Sequence, residues 1–484
     1  MTAKALWHRL RLLTGVAGTC ALIACGANGT VAGIEGTGIT SSGAISGFGS
    51  VFVNGVEFAT TSAAITVNGQ AATQADLRSG QIVAIGGQIA PGGTSGTAGK
   101  VQYFANVRGP IGAANQANST VTVLGQTVTV GSTTSLGADA GGTPTFASLT
   151  PGTLVEVSGF SGAGGAILAA RIDIKTRIAS DLLTGTAAAV DTAAQQFTVG
   201  GGVVVNDGAA TFSGFPGGRA LQAGDTVQVA SAAGAVGGAI QATSVTYVGS
   251  LAGAAGSQGE IDGLVTNFVS ATNFEVAGVQ VTTNAATSYF NGAAGTLAAG
   301  VHVRVQGSFD AGGTLVAAKL SFDQSSPVLV QATVGAIDAA ANTVQLLGLT
   351  VTTSVETRFD DQSPNPANPF NLSSLRVGDT VEVRGQTNAA AGIDASVLTR
   401  IAATATVELR GIASVAVAPN LTVLGVNAVT SATTRYVGTD GGALTGPQFF
   451  AAAPGAIVDL IGTLSGATLQ VTTASLPGHA QTEE

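Results

Sequence analysis

One short pattern recurs six times along this chain, and it leaves few folds open. Its clearest copy is LRVGDTVEVRG, Leu375 to Gly385. Gly378 and Asp379 make a turn. Val381 and Val383 then alternate with Thr380, Glu382 and Arg384, the period of a strand with one buried face. Near-copies are LRSGQIVAIG from Leu77, LTPGTLVEVSG from Leu149, LQAGDTVQVA from Leu221, LAAGVHVRVQG from Leu297 and a weaker PGAIVDLIG from Pro454. The turn glycines are Gly80, Gly152, Gly224, Gly300, Gly378 and Gly455, spaced by 72, 72, 76, 78 and 77 residues. Length alone would suggest three or four domains in 484 residues. The repeat replaces that expectation with six small all-β units.

Composition agrees. Charged residues are only 9% and glycine accounts for 70 positions. Apolar residues are scattered through short strands, and after the N-terminus none forms a run long enough for a membrane-spanning helix. A transmembrane β-barrel fits poorly, because aromatics are 5% and form no girdles. The net charge is −9, or −12 without Lys4, Arg9 and Arg11. Neutralising phosphates is the main source of nucleic-acid affinity, so a nucleic-acid partner is not expected.

The first 25 residues carry an address. Lys4, Arg9 and Arg11 precede an apolar run, Leu12 to Ala24, of signal-peptide length. The run ends Leu22-Ile23-Ala24-Cys25-Gly26, which resembles the bacterial lipoprotein box. That resemblance implies cleavage between Ala24 and Cys25 and lipid on the Cys25 thiol, with acyl chains such as palmitate holding the protein to a membrane. Gly26, where an aspartate would retain a lipoprotein at the inner membrane, implies the outer membrane of a Gram-negative bacterium, on its periplasmic face or at the cell surface. Cys20 falls in the discarded segment, so no disulfide is expected.

The chain then divides as follows. Residues 1–24 are the signal peptide, and 25–42 are a Gly/Thr/Ser-rich tether. Residues 43–107, 108–178, 179–250, 251–324, 325–404 and 405–478 are units 1 to 6, and 479–484 are a tail. In unit 1 the Asn54-Gly55 dipeptide is a hairpin turn between Val51–Val53 and Val56–Phe58. Each unit has five or six short strands, which predicts a tandem array of small, partly open β-barrels like the oligonucleotide/oligosaccharide-binding (OB) fold. A unit this small would be marginal alone, so neighbours are expected to pack end to end into a rod or arc.

Unit 1 also resembles the bacterial DUF5666 family. The residues that carry the resemblance are GFGSVFVNGVEFATTSAAITVNG, from Gly47, and ADLRSGQIVAIGG, from Ala75. It is clearest over residues 43–107; the later units keep mainly the Leu-x-x-Gly strand signature and the closing strand. The resemblance implies tandem domains behind a lipoprotein signal. It implies no activity.

A search for chemistry finds little. Beyond the signal the histidines are His302 and His479. His302 is out of phase with Val301, Val303 and Val305 and is expected to face solvent. There is no histidine pair for zinc, no Gly-x-Ser-x-Gly elbow and no phosphate loop. The loop Arg358 to Phe370 holds Asp360, Asp361, Asn365 and Asn368, a weak candidate calcium site whose spacing matches no known calcium loop; a Pro-fixed surface loop is the plainer expectation. No metal or cofactor is expected, and no enzyme. The leading reading is a lipid-anchored envelope protein with a structural or protein-interaction role. The alternative is a glycan or small-ligand module, for which Phe48, Phe52 and Phe58 are candidate platforms, though packing explains them better.

Overall fold

The computed structural model describes residues 39–476, apart from 91–93, 142–143, 233, 235–237, 250, 252, 324–326, 368–369 and 440–441. The described chain is almost all β-strand, with one α-helix, Gly446–Ala452. All six turn glycines have positive φ, between 74° and 98°. Residues with a Cβ avoid that region, which is why the turn shows so clearly in the sequence. A strand follows each turn, as in His302–Phe309 and Thr380–Thr387.

Unit 4 shows how each barrel closes. Its opening strand, Gln258–Ser270, pairs antiparallel with the second, Asn273–Val276, which pairs with the third, Val279–Thr282. The third runs parallel to the last strand, Leu315–Phe322, through only two residue pairs. The last pairs with the fourth, His302–Phe309, which returns to the opening strand. This five-strand ring, sealed by one short parallel seam, is the expected OB-like barrel. Units 1, 2, 5 and 6 close through the same sequence of pairings. In unit 3 the opening and last strands are each broken in two, so its ring falls into two pieces.

A second glycine accounts for much of the closure. Seven residues after the turn glycine stand Gly87, Gly159, Gly307, Gly385 and Gly462. Each lies where the register of the fourth and last strands slips. A Cβ there would sit 2.0–2.2 Å from a carbonyl oxygen on the last strand. The bulge bends the strand around the barrel, and only glycine leaves room for it. Unit 3 has Ser231 in this place, and there the last strand is split into Ala239–Gln241 and Ser244–Tyr247.

Two features depart from expectation. Residues 39–42, assigned to the tether, belong to the first strand, Ile39–Phe48. Their β-branched and small residues pair with unit 4, Ser41 with Glu260 and Ser42 with Ile261. The units, moreover, do not pack end to end. Opening strands pair with opening strands: unit 1 with unit 4, unit 2 with unit 3 and unit 5 with unit 6. Units 2 and 3 share one apolar core, as do units 5 and 6. A separate seam of Phe160, Ala170 and Leu264 joins unit 2 to unit 4 and touches Ala44 and Ile82 of unit 1.

Two elements have no counterpart in the sequence reading: the strand Arg358–Asp361, whose first three residues are buried although the stretch reads as the start of a surface loop, and the helix Gly446–Ala452. The helix stands where units 1, 2, 3, 4 and 5 have a single 3-10 turn before the turn glycine. Thr445 caps it and Gln448 reaches back to the Thr445 N–H at 2.8 Å, a capping box legible in Thr445-x-x-Gln448.

Candidate functional site

Units 1, 2, 4 and 5 line a partly open cavity of about 400 Å³. Unit 1 contributes the residues around Ala44 and the Asn54-Gly55 hairpin. Unit 2 contributes Phe160 and Leu168 to Ala170. Unit 4 supplies His302, Arg304, Lys319 and Asp323, and unit 5 supplies Glu356, Arg358 and Asp394. Units 3 and 6 contribute none of the lining residues.

His302 lies on this wall. It does point away from its own barrel core, but unit 2 covers that outer face, so the side chain is largely enclosed instead of solvated. Its Nε2 is 2.9 Å from Asp262 Oδ1 and its Nδ1 is 3.1 Å from Asp323 Oδ2. The Phe160 ring of unit 2 lies over it, centroids 4.2 Å apart. Burial pulls the imidazole pKa down, but the two carboxylates outweigh it and push the value up to about 10. At neutral pH His302 is therefore an imidazolium with both nitrogens committed, a poor general base.

Charged pairs tie the walls together. Arg171 of unit 2 holds Asp173 at 2.7–2.9 Å through Nε and Nη2. Its Nη1 donates to the Ser79 carbonyl of unit 1 at 3.0 Å and reaches Asp360 of unit 5 at 3.4 Å. Arg304 of unit 4 pairs with Glu356 of unit 5 at 2.6 Å. The Ser46 hydroxyl of unit 1 donates to the Val355 carbonyl of unit 5 at 3.2 Å.

The calcium candidates are drawn into such pairs. Asp360 and Asp361 are consecutive in the strand Arg358–Asp361 and face opposite ways. Asp360 meets Arg171, and Asp361 is held by Arg400 and by the N–H groups of Ser363 and Ala367. Asn368 lies outside the described residues, as do Ala24, Cys25 and His479. Among the described residues no three His, Cys, Asp or Glu side chains gather as a metal site. Phe48 and Phe58 are buried in the core of unit 1, and Phe52 is half-buried.

The cavity escaped the sequence reading for a physical reason. Its walls come from segments as far apart in the chain as Ala44 and Val397, brought together by pairing between non-neighbouring units. The charged residues that line it sit on strand positions that would be solvated in a lone barrel. Arginines at such positions in a chain with so little charge were the available signal.

Taken together, five-strand rings, bulge glycines and shared opening strands define a tandem all-β repeat protein. The profile of the domain of unknown function DUF5666 matches residues 37–102, 108–173, 262–321 and 331–398, just over half of the chain. The chain therefore belongs to the DUF5666 family. The four matches are units 1, 2, 4 and 5, the same four that line the cavity. Comparison with curated proteins found no match.

Proposed function

We propose that this chain is a non-catalytic, lipid-anchored protein of the cell envelope with a structural or protein-interaction role. One observation carries this reading: where the units meet, two ion pairs, Arg171 with Asp360 and Arg304 with Glu356, run from one unit to another. Arg171 and Arg304 hold walls together, while both ring nitrogens of His302 are taken up by Asp262 and Asp323 of its own unit. The Leu22 to Cys25 sequence supplies the address, an outer-membrane lipoprotein of a Gram-negative bacterium facing the periplasm or the surface.

A Cys25→Ser variant is expected to move from the membrane to the soluble fraction, read by fractionation and immunoblot. Retention of that variant at the membrane would refute the anchor. In-cell crosslinking of the lipidated protein is expected to capture an envelope protein in stoichiometric amount. Capture of polysaccharide alone would favour the second reading, a glycan or small-ligand module. That second reading has its own support in the polar cavity, whose volume suits a small ligand.

A further inference from the structure

We propose that the cavity binds a small hydroxylated molecule through one oxyanion group, a carboxylate or a phosphate, with Arg358 as the anchor. This deepens the small-ligand reading and rests on it.

Arg358 stands apart from Arg171, the other buried arginine, and from the half-buried Arg304 and Arg410. Arg171, Arg304 and Arg410 each meet a carboxylate within 2.7 Å. Arg358 is only 7% exposed, yet its Nε and Nη2 have no protein acceptor. Its nearest candidate, Asp360, lies two residues along the same strand, but Asp360 turns to Arg171 and also accepts from Gln362 Nε2 at 2.8 Å. The Arg358 stem runs past the unit 1 turn at Gly80, and the residue lines the cavity. Burial pushes its pKa down to about 10, so it remains a cation at neutral pH. A buried guanidinium without an acceptor is strongly disfavoured, and its fork matches two oxygens of one carboxylate or phosphate.

The lining also holds four carboxylates, each engaged with a neighbour: Asp262 and Asp323 with His302, Glu356 with Arg304, and Asp394 with Asn388. Lys319 forms no ion pair among the described residues; its Nζ lies 4.8 Å from the Phe290 ring centre, and both line the cavity. Asn291, Ser321 and Gln386 offer hydrogen bonds to hydroxyl groups, and Phe290 offers an apolar face. Two cations in one lining, hydroxyl partners and one aromatic face describe a monosaccharide-sized acid or phosphate ester.

The test uses full-length lipidated protein in a nonionic detergent, at constant ionic strength, titrated with glucuronate, glucose 6-phosphate and glucose. Thermal midpoint and calorimetry are read together. A saturable rise is expected with at least one anion and not with glucose; which anion acts separates carboxylate from phosphate. Arg358→Met is expected to lose at least tenfold in affinity for that anion, and Lys319→Met at least threefold. Should Arg358→Met not fold, Lys319→Met carries the comparison. Equal anion responses in wild type and variant, an effect of salt only, would overturn the proposal. Saturable binding of glucose with no preference for an anion would overturn the oxyanion site while leaving the small-ligand reading standing. Silence from all three probes would remove both.

Discussion

Gly307 sits where the fourth strand of unit 4 slips against the last, and a Cβ built on it falls 2.1 Å from the Val316 carbonyl oxygen. That oxygen is backbone, so it cannot swing aside. Gly307→Ala is expected to destabilise the protein by about 1–3 kcal/mol, the usual range for overpacking. Urea unfolding checks it; an unchanged midpoint would mean that the bulge tolerates a methyl group. At this scale the sequence was most informative. The turn glycines and the bulge glycines both sit inside the repeated pattern, because each answers to the local backbone. His302 was misjudged because its environment is not local: Phe160, which covers it, comes from another unit.

Single elements are joined by buried charge. The last strand of unit 2, Ile167–Ile174, carries Arg171, whose guanidinium serves Asp173 bidentately and touches units 1 and 5. Arg171→Leu would leave two buried carboxylates short of their cation. The expected loss is about 3–5 kcal/mol, measured by urea unfolding. Arg171→Lys is expected to recover only part of it, since an ammonium cannot reproduce the planar fork. Full recovery by lysine would make the contact a matter of charge alone. The strands themselves were legible from alternation and turns. Their partners were not: the period of two says that a face is covered but is silent about which unit covers it.

Over the whole molecule, three groups set the response to pH on the alkaline side. Burial pushes Glu260 up to about 7, against the pull of Gln306 and Arg304. Glu408 is raised by burial and by Asp459 and Glu382 beside it. His302 is raised to about 10. Each binds its proton more tightly folded than unfolded, so its stabilisation is complete below the unfolded value, 4.5 for Glu and 6.5 for His, and is lost as pH rises through the folded one. On the acid side, Arg171 and Arg400 hold Asp173 and Asp361 below 3.8 despite burial, and that contribution is lost as pH falls through their lowered values. The thermal midpoint is expected to peak at about pH 4 and to decline from there toward about pH 10, at up to about 1.4 kcal/mol per pH unit for each group in its window. Scanning calorimetry across that range checks it, and a higher midpoint at pH 9 than at pH 5.5 would contradict the assignment.

Because the opening strand of unit 1 pairs with that of unit 4, and Ser46 reaches Val355 across 309 residues, assembly has an order in time. A chain made from its N-terminus can close the first barrels one by one, but the partner of the earliest strand emerges only after two further units have been synthesised. Unit 1 must therefore wait with an unpaired edge, an exposure that favours misassociation until unit 4 arrives. The chamber acquires its last wall later still, with the residues up to Val397. A prematurely terminated chain can thus fold several sound barrels and still lack the enclosure, which makes the chamber a marker of a completed molecule.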